Sequence, residues 1–450
     1  MKKSVYMFAL AAVVTLAACG AKQQQEIPEQ EPTKAIETVA PTATQAVAPT
    51  AEPTATTKPT ATPKPTATPT PEVDWKEKMM QDSIVSTGNN ARLKKVLEKA
   101  RSGEQVNIAV LGGSVTEGGG ASQNSKGYAY LFETAFKETY GNGDNINFVN
   151  AGLSGTPSCL GAIRFKKDVL DVLGGEPDLF IIEFAVNDWG ETTKTRAYES
   201  LVHDVLSQDN DAAVILLFAS RSDFWNVQDT YIPVGKHYDL PMVSVANAIK
   251  EPMTMKKLDK KIFYTDDYHP ANYGHSMMCD YLMNLLAVVD AEEADEPAAV
   301  KDNGIKGLEF KHVVMLESDA DYEGITIHPG SFTKKDTEIQ RFGLQRVPSF
   351  PNNWMRDTEA GNESFTMTLT CKNLMLNYKT ANNQKFGEAE IYVDGELKTT
   401  LNCFSTGGWN NNNVTLIIDE KEAAEHTVEI RMKEGQEDKS FTILCFGYTD

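Results

Sequence analysis

The sequence is short of positive charge and short of cysteine. It sets 43 Lys and Arg against 63 Asp and Glu, a formal net charge of −20 over 450 residues. A surface this acidic is repelled by nucleic-acid phosphates and by anionic lipid headgroups, which excludes both as binding partners. Of the 6 cysteines, Cys159, Cys279, Cys371, Cys403 and Cys445 follow Cys19, and no C-x-x-C pair occurs. That excludes a cysteine zinc site and a fully paired disulfide framework, while leaving room for one bridge among the last three. There is no H-E-x-x-H zinc signature and no internal repeat of solenoid type. Asp266, His269 and His275 could be imagined around a metal, but nothing in their spacing supports one, so neither metal nor cofactor is expected.

Long apolar runs are also missing. Residues 5–16 follow Lys2 and Lys3 and are apolar, yet too short to span a bilayer as a working helix. They end in Leu16-Ala17-Ala18-Cys19. A positive start, a short apolar core and a terminal Cys after small residues describe a bacterial lipoprotein signal, with Cys19 as the lipidated residue. A plain cleaved signal peptide is the alternative. Residues 20–73 are a second material. Of the chain's 20 prolines, half fall between Pro28 and Pro71, mixed with Thr and Ala and almost no apolar bulk. Such a stretch cannot bury enough surface to offset its ordering entropy. It reads as an extended tether reaching on the order of 150 Å at most.

From residue 74 to 295 the texture is that of a folded α/β domain. Short apolar runs at 106–111, 146–150, 178–184, 213–218 and 242–245 predict five buried strands. Amphipathic stretches at 128–140, 161–173, 195–206, 227–238 and 271–289 predict the helices between and after them. The result is a mostly parallel five-stranded sheet covered on both faces. An Ala/Glu/Asp-rich joint at 292–299 then leads to residues 303–450, where apolar residues alternate with polar ones. Phe365-Met367-Leu369, Ile391 and Val393 before the turn Asp394-Gly395, 416–418, 428–430 and 441–443 carry that period. Seven or more such strands predict a β-sandwich, jelly-roll-like in build.

Functional groups of a parallel sheet gather past the carboxyl ends of its strands. The first strand ends in Gly112-Gly113-Ser114-Val115-Thr116-Glu117-Gly118-Gly119-Gly120. A serine on a glycine-lined turn is by itself an ordinary turn residue, and Thr116 stands where a G-x-S-x-G elbow needs glycine. The second strand ends in Asn150-Ala151-Gly152-Leu153-Ser154-Gly155 and the third in Ala185-Val186-Asn187-Asp188. Asp266-Asp267-Tyr268-His269-Pro270 precedes the last helix. One short turn can set Asp266 against the His269 imidazole, although Asp267 competes for that place.

Taken in order, Ser114, Gly152, Asn187 and His269 resemble the four blocks of the SGNH (GDSL-type) hydrolases over residues 106–289. The first block departs from the common G-D-S in having Gly113. The resemblance implies Ser114 as nucleophile, His269 as general base and Asp266 as its orienting acid. It also implies an oxyanion hole made by the backbone N–H of Ser114, by Gly152 and by Asn187.

Two tryptophans follow strand ends. Trp189 and Trp225 are placed at the rim of the site, where they would serve equally as sugar platforms or as packing. Trp354 and Trp409, in the Asn-rich segments 351–354 and 409–413, allow the same two readings. The glycines after Ser114 suggest an open, shallow site. The two-part layout resembles acetyl esterases of polysaccharides, which implies an O-acetylated polysaccharide as substrate and partner. The site is expected at the outer face of a bacterial membrane, held there only by the lipid anchor. A lipase or lysophospholipase would share the triad, and a non-catalytic glycan-binding lipoprotein would share the layout.

Overall fold

The computed structural model describes residues 73–339 and 349–450. The leader, Cys19 and the proline-rich stretch up to residue 72 lie outside the described residues. Of the described residues, no helix is long and apolar enough to cross a membrane.

The first half is a six-stranded sheet in the order β1-β6-β5-β4-β2-β3. Its strands are β1 (Ile84–Ser86), β2 (Val106–Gly112), β3 (Ile146–Gly152), β4 (Leu179–Glu183), β5 (Ala213–Phe218) and β6 (Met242–Ser244). β2 to β6 are the five parallel strands expected from the sequence. β1 is an addition: a short antiparallel edge on β6, pairing Ile84 with Val243. Three residues carry too little pattern to be read as a strand.

Alternation along β2 shows why both faces are covered. Val106, Ile108 and Val110 enter one buried cluster; Ala109 and Leu111 enter the other. The first cluster is closed by α1 (Trp75–Ser83), α2 (Ala91–Ser102), α4 (Tyr128–Tyr140), α9 (Val245–Thr254) and α11 (Asn272–Ala291). The second is closed by α5 (Ser158–Phe165), α7 (Arg196–Leu206) and α8 (Gln228–His237). The helix expected at 161–173 is broken in its middle: a π-helical turn, Lys166–Leu170, separates α5 from α6 (Asp171–Leu173). Two short α-helices remain, α3 (Ser114–Glu117) after β2 and α10 (Lys260–Phe263) before the last loop, with a 3-10 turn at Asn124–Lys126. From β2 the chain moves to β3 on one side and to β4, β5 and β6 on the other. This order makes the end of β2 the switch point of the sheet, where open α/β sheets bind ligands.

The second half is an all-antiparallel sheet of eight strands. They are β7 (Val314–Leu316), β8 (Thr326–His328), β9 (Trp354–Met355), β10 (Phe365–Ala381), β11 (Glu388–Val393), β12 (Glu396–Asn402), β13 (Trp409–Met432) and β14 (Thr442–Thr449). β10 changes partner along its length. Thr366, Met367 and Thr368 pair with β8, and from Asn373 it pairs with β14. Register breaks between Cys371 and Asn373 mark the bend. The sheet thereby folds over one apolar core that includes Phe365, Met367, Leu369, Ile391, Val428 and Ile430. The apolar runs at 416–418 and 428–430 belong to one strand, β13, not two. All five described cysteines are free and buried, so the bridge allowed among the last three is not formed.

The two halves meet through a shared apolar layer. Phe310, Ile339, Phe350, Met375, Leu444 and Cys445 are buried in the same cluster as α5 and α7. Polar contacts frame that layer. Glu199 accepts N–H bonds from Ile305 (2.8 Å) and Gly307 (3.0 Å). Arg196 holds Asp419 through both guanidinium nitrogens, at 2.9 and 2.8 Å. The acidic joint is tied down as well: Asn90, at the start of α2, bonds Asp295 and the Glu293 carbonyl.

Candidate active site

Ser114 is the first residue of α3, directly past β2. Backbone bonds hold the turn. Gly113 N–H donates to the Glu183 carbonyl at 3.3 Å and Glu117 N–H to the Gly113 carbonyl at 3.0 Å. The fully buried Arg164 donates to the Gly112 carbonyl at 3.1 Å and pairs with Asp168 at 2.9 Å. His269 Nε2 stands 3.0 Å from Ser114 Oγ. On the other side of the ring, Nδ1 stands 2.8 Å from Asp266 Oδ2. Asp266 Oδ1 accepts the backbone N–H groups of Tyr268 (2.7 Å) and His269 (2.9 Å). Partial burial alone would raise the Asp266 pKa. The His269 ring and these two N–H donors outweigh it, and the carboxyl sits below the usual carboxylate range. Asp267 is turned away, bonded to Ser222 Oγ at 2.8 Å and Lys260 Nζ at 3.2 Å. Asp266 is therefore the carboxylate on the imidazole.

The glycines after Ser114 serve packing more than openness. A Cβ placed on Gly119 would lie 2.7 Å from His269 Cδ2, and one on Gly120 would lie 2.9 Å from His269 Cβ and closer still to the Pro270 carbonyl. Gly120 also has φ +90°, which disfavours any side chain. The loop is bare because the His269 segment lies on it, which corrects the reading of these glycines as marks of a shallow cleft. Behind it, His275 bridges two elements. Its Nδ1 accepts Tyr128 N–H at 3.2 Å and its Nε2–H donates to the Gly119 carbonyl at 3.0 Å. Burial pulls its pKa down to about 4, so it is a neutral strut.

The expected oxyanion donors converge on the same turn. A Cβ on Gly113 would sit 2.8 Å from Asn187 Cγ, nearer still to Oδ1 and 3.1 Å from Nδ2. The Asn187 amide thus occupies the space a side chain at 113 would need, which explains Gly113 in this chain. Gly152 packs on α3, where a Cβ would lie 2.6 Å from Glu117 Cα. Its N–H donates to Asn150 Oδ1 at 3.0 Å, and Asn150 Nδ2 in turn donates to the Thr116 carbonyl at 2.9 Å. In this arrangement a substrate oxygen would have to share that N–H with Asn150.

Several site residues escaped the sequence reading. Glu117 is buried and accepts both the N–H and the hydroxyl of Ser154, fastening the β3 loop to the nucleophile helix. Glu183 is fully buried under the turn, accepting from Thr116 Oγ1 at 3.1 Å, and Thr116 Oγ1 lies 2.8 Å from Tyr128 OH. Burial pushes the Glu183 carboxyl up to about 7. Asp188, beside Asn187, accepts Ser158 N–H at 2.8 Å and the Tyr231 hydroxyl. Burial and then the charge of Glu191 push it up to about 7. An acid inside an apolar strand such as 178–184 was the available signal for Glu183.

Aromatic residues stand on the loops that follow these strands. Trp189 is 66 % exposed and meets Trp225 edge-on, their rings 6.2 Å apart. Trp409 of the second half is 42 % exposed, and a Cβ on Gly155 would lie 2.8 Å from its Cζ2. Trp354 departs from the exposed-loop reading: it is buried in the sandwich core, 5.5 Å from Phe365 and 6.0 Å from Phe446. Among the described residues no group of three or more His, Cys, Asp or Glu is placed to hold a metal ion.

Comparison with known proteins fits this geometry. No curated protein matches the sequence significantly. Among solved structures, a two-domain esterase (CEX) active on acetylated mannans superposes with a TM-score of 0.69 at 26 % identity, over 82 % of this chain and 99 % of that one. The same esterase co-crystallized with mannopentaose gives 0.67 at 26 % identity over the same shares. Residues 110–277 match the model of the GDSL-like lipase/acylhydrolase family, and together with the likeness to the two-domain esterase this match makes the chain a carboxylic ester hydrolase.

Proposed function

We propose that the chain is a serine esterase that removes small acyl groups, O-acetyl above all, from a polysaccharide. The observation that carries this reading is the unbroken relay from Asp266 through His269 to Ser114. Similarity over both halves to an esterase active on acetylated mannans supports the substrate class. In the reaction, Ser114 Oγ attacks the acetyl carbonyl while His269 Nε2 takes its proton. Asp266 keeps the Nδ1–H in place and stabilises the imidazolium. The oxyanion is met by Ser114 N–H, Gly152 N–H and the Asn187 amide, each such donor contributing ~3 kcal/mol. His269 returns the proton to the departing sugar hydroxyl. Water, deprotonated by His269, then releases acetate and restores Ser114.

Location belongs to the same proposal. Lys2, Lys3, the apolar stretch 5–16 and Cys19 support export and lipid anchoring, and the Pro/Thr-rich tether supports reach from the membrane. A Cys19→Ala variant is then expected in the soluble rather than the membrane fraction. The activity test is acetate release from acetylated mannan, xylan, pectin and peptidoglycan, with Ser114→Ala as control. A set of p-nitrophenyl esters decides against the lipase alternative if acetate is preferred; preference for long chains would reverse the reading. Glycan binding without any Ser114-dependent acetate release would leave a binding protein instead.

A further inference from the structure

One feature of the rim is absorbed neither by the relay nor by packing. The loop after β5 carries Arg221, whose guanidinium lies 5.8 Å from the Trp225 ring centre and 4.9 Å from that of Tyr268. Both distances are within cation–π range. Trp225 meets Trp189 edge-on, and Tyr268 is the neighbour of His269. The four side chains form one continuous row running from the Asn187 loop to the His269 loop. Its two ends are exposed, Trp189 by 66 % and Tyr268 by 46 %. A row of rings joined edge-on and through a guanidinium, with solvent-facing ends beside a catalytic centre, is a binding surface rather than a core.

The row is built to stay in place. Arg221 N–H donates to the Trp225 carbonyl at 3.0 Å, closing a tight loop in which Phe224 has φ +69°. Ser222 N–H and Oγ bond Asp267 at 3.0 and 2.8 Å, joining this loop to the segment that holds Asp266 and His269. Among the described residues, the only side-chain hydrogen bond of Arg221 goes to Asp223, at 3.1 Å. Its charge is thus matched by Asp223, Lys260 is matched by Asp267, and Asp266 adds a further carboxylate on the His269 ring, so the row carries no surplus cation. That balance repels an acidic sugar and leaves the exposed ring surfaces of the row for a neutral one.

We propose, resting on the polysaccharide reading above, that Arg221 is a positioning residue. It locks Trp225 and Tyr268 into a platform that binds a neutral sugar ring adjacent to the acetylated one. The platform sets how well a glycan ester is held relative to a simple ester.

The test uses the full chain and two substrates, acetylated glucomannan oligosaccharides and p-nitrophenyl acetate. The readout is the ratio of their kcat/KM values in Arg221→Ala, Arg221→Lys, Trp225→Ala and Tyr268→Ala. The ratio is expected to fall about tenfold in each alanine variant, mainly through a higher KM for the oligosaccharide. Arg221→Lys keeps the charge but loses the planar face, and is expected to fall with the alanine variants. Combining Arg221→Ala with Tyr268→Ala should cost less than the product of the two losses. An unchanged ratio in an otherwise glycan-active enzyme overturns the platform alone, as does an equal fall in kcat on both substrates. Wild-type enzyme that cleaves acidic acetylated glycans but no neutral one overturns the platform alone, whereas cleavage of p-nitrophenyl acetate but of no acetylated glycan overturns the polysaccharide reading, and the platform with it.

Discussion

Replacing Gly113 by Ala tests the site through a single methyl group. The backbone there has a negative φ, −88°, so the substitution brings no left-handed strain. The conflict is with one side chain. The new Cβ would lie 2.8 Å from Asn187 Cγ, where real Cβ contacts are essentially never under 3.0 Å. The turn itself is held from both sides by the Gly113–Glu183 and Glu117–Gly113 bonds, so the flexible amide is what yields. A shift of about 1 Å takes a donor out of reach of a developing oxyanion. The expected loss is ~3 kcal/mol, or about 10²–10³ in kcat, with KM little changed. Stability should move by less than about 1 kcal/mol, because no buried bond of the turn is broken. The assay is steady-state hydrolysis of p-nitrophenyl acetate by Gly113→Ala, Asn187→Ala and the double variant. Once the Asn187 amide is removed, the added methyl has room, so the double variant should lose no more than Asn187→Ala alone. Wild-type kcat in Gly113→Ala, or losses that multiply, would refute the claim that Gly113 exists to seat Asn187.

Other consequences are more direct. Asp266→Asn leaves the size of the group unchanged but presents the wrong partner to Nδ1; a fall of about 10⁴ in kcat at constant KM is expected from initial rates. Gly120→Ala places a side chain at φ +90° against Pro270 and His269; about 1–3 kcal/mol of destabilisation should appear in chemical unfolding, together with reduced kcat. The buried acids give a pH signature. Glu183 and Asp188 have folded-state values raised to about 7, so their neutral forms favour the fold, and stability is lost as pH rises from about 4 to 7. His275, lowered to about 4, acts in the opposite sense, losing stability as pH falls from 6.5 to about 4. Melting temperatures of Glu183→Gln at pH 5 and pH 8 should therefore be closer together, or reversed in order, relative to wild type. An unchanged difference would show that Glu183 does not titrate in this window.

The α/β half was legible because its signal is redundant. Each of β2 to β6 is a short apolar run, and the first three chemical blocks stand at strand ends, while the Asp266/His269 block lies in the loop between α10 and α11. The Ser114, Asp266 and His269 geometry could be anticipated from an i,i+3 spacing and a chain order. Other features had no local signal. β1 is three residues long, and the π-helical turn at Lys166–Leu170 interrupts an otherwise helical pattern without Pro or Gly. The choice between Asp266 and Asp267 depended on which side of the loop faces Ser222 and Lys260, a tertiary fact. Trp354 and Trp409 share an Asn-rich setting in sequence. Only packing separates a core indole against Phe365 from one lying on Gly155. Arg164 and Glu117 were hidden because a charged residue in a helix ordinarily reads as solvated surface, whereas both are buried here.

The shared apolar layer changes what the second half can be called. A binding module that can be cut off and moved between enzymes has its own closed surface. Here Phe310, Phe350, Met375 and Leu444 complete a core that begins on α5 and α7. Gly447 lies so close to Ile163 that a Cβ there would meet its Cδ1 at 2.9 Å. The sandwich is therefore not an interchangeable cassette. Recombination at the acidic joint would expose a hydrophobic wall on both products, so inheritance of the esterase and inheritance of its partner domain are coupled by folding itself.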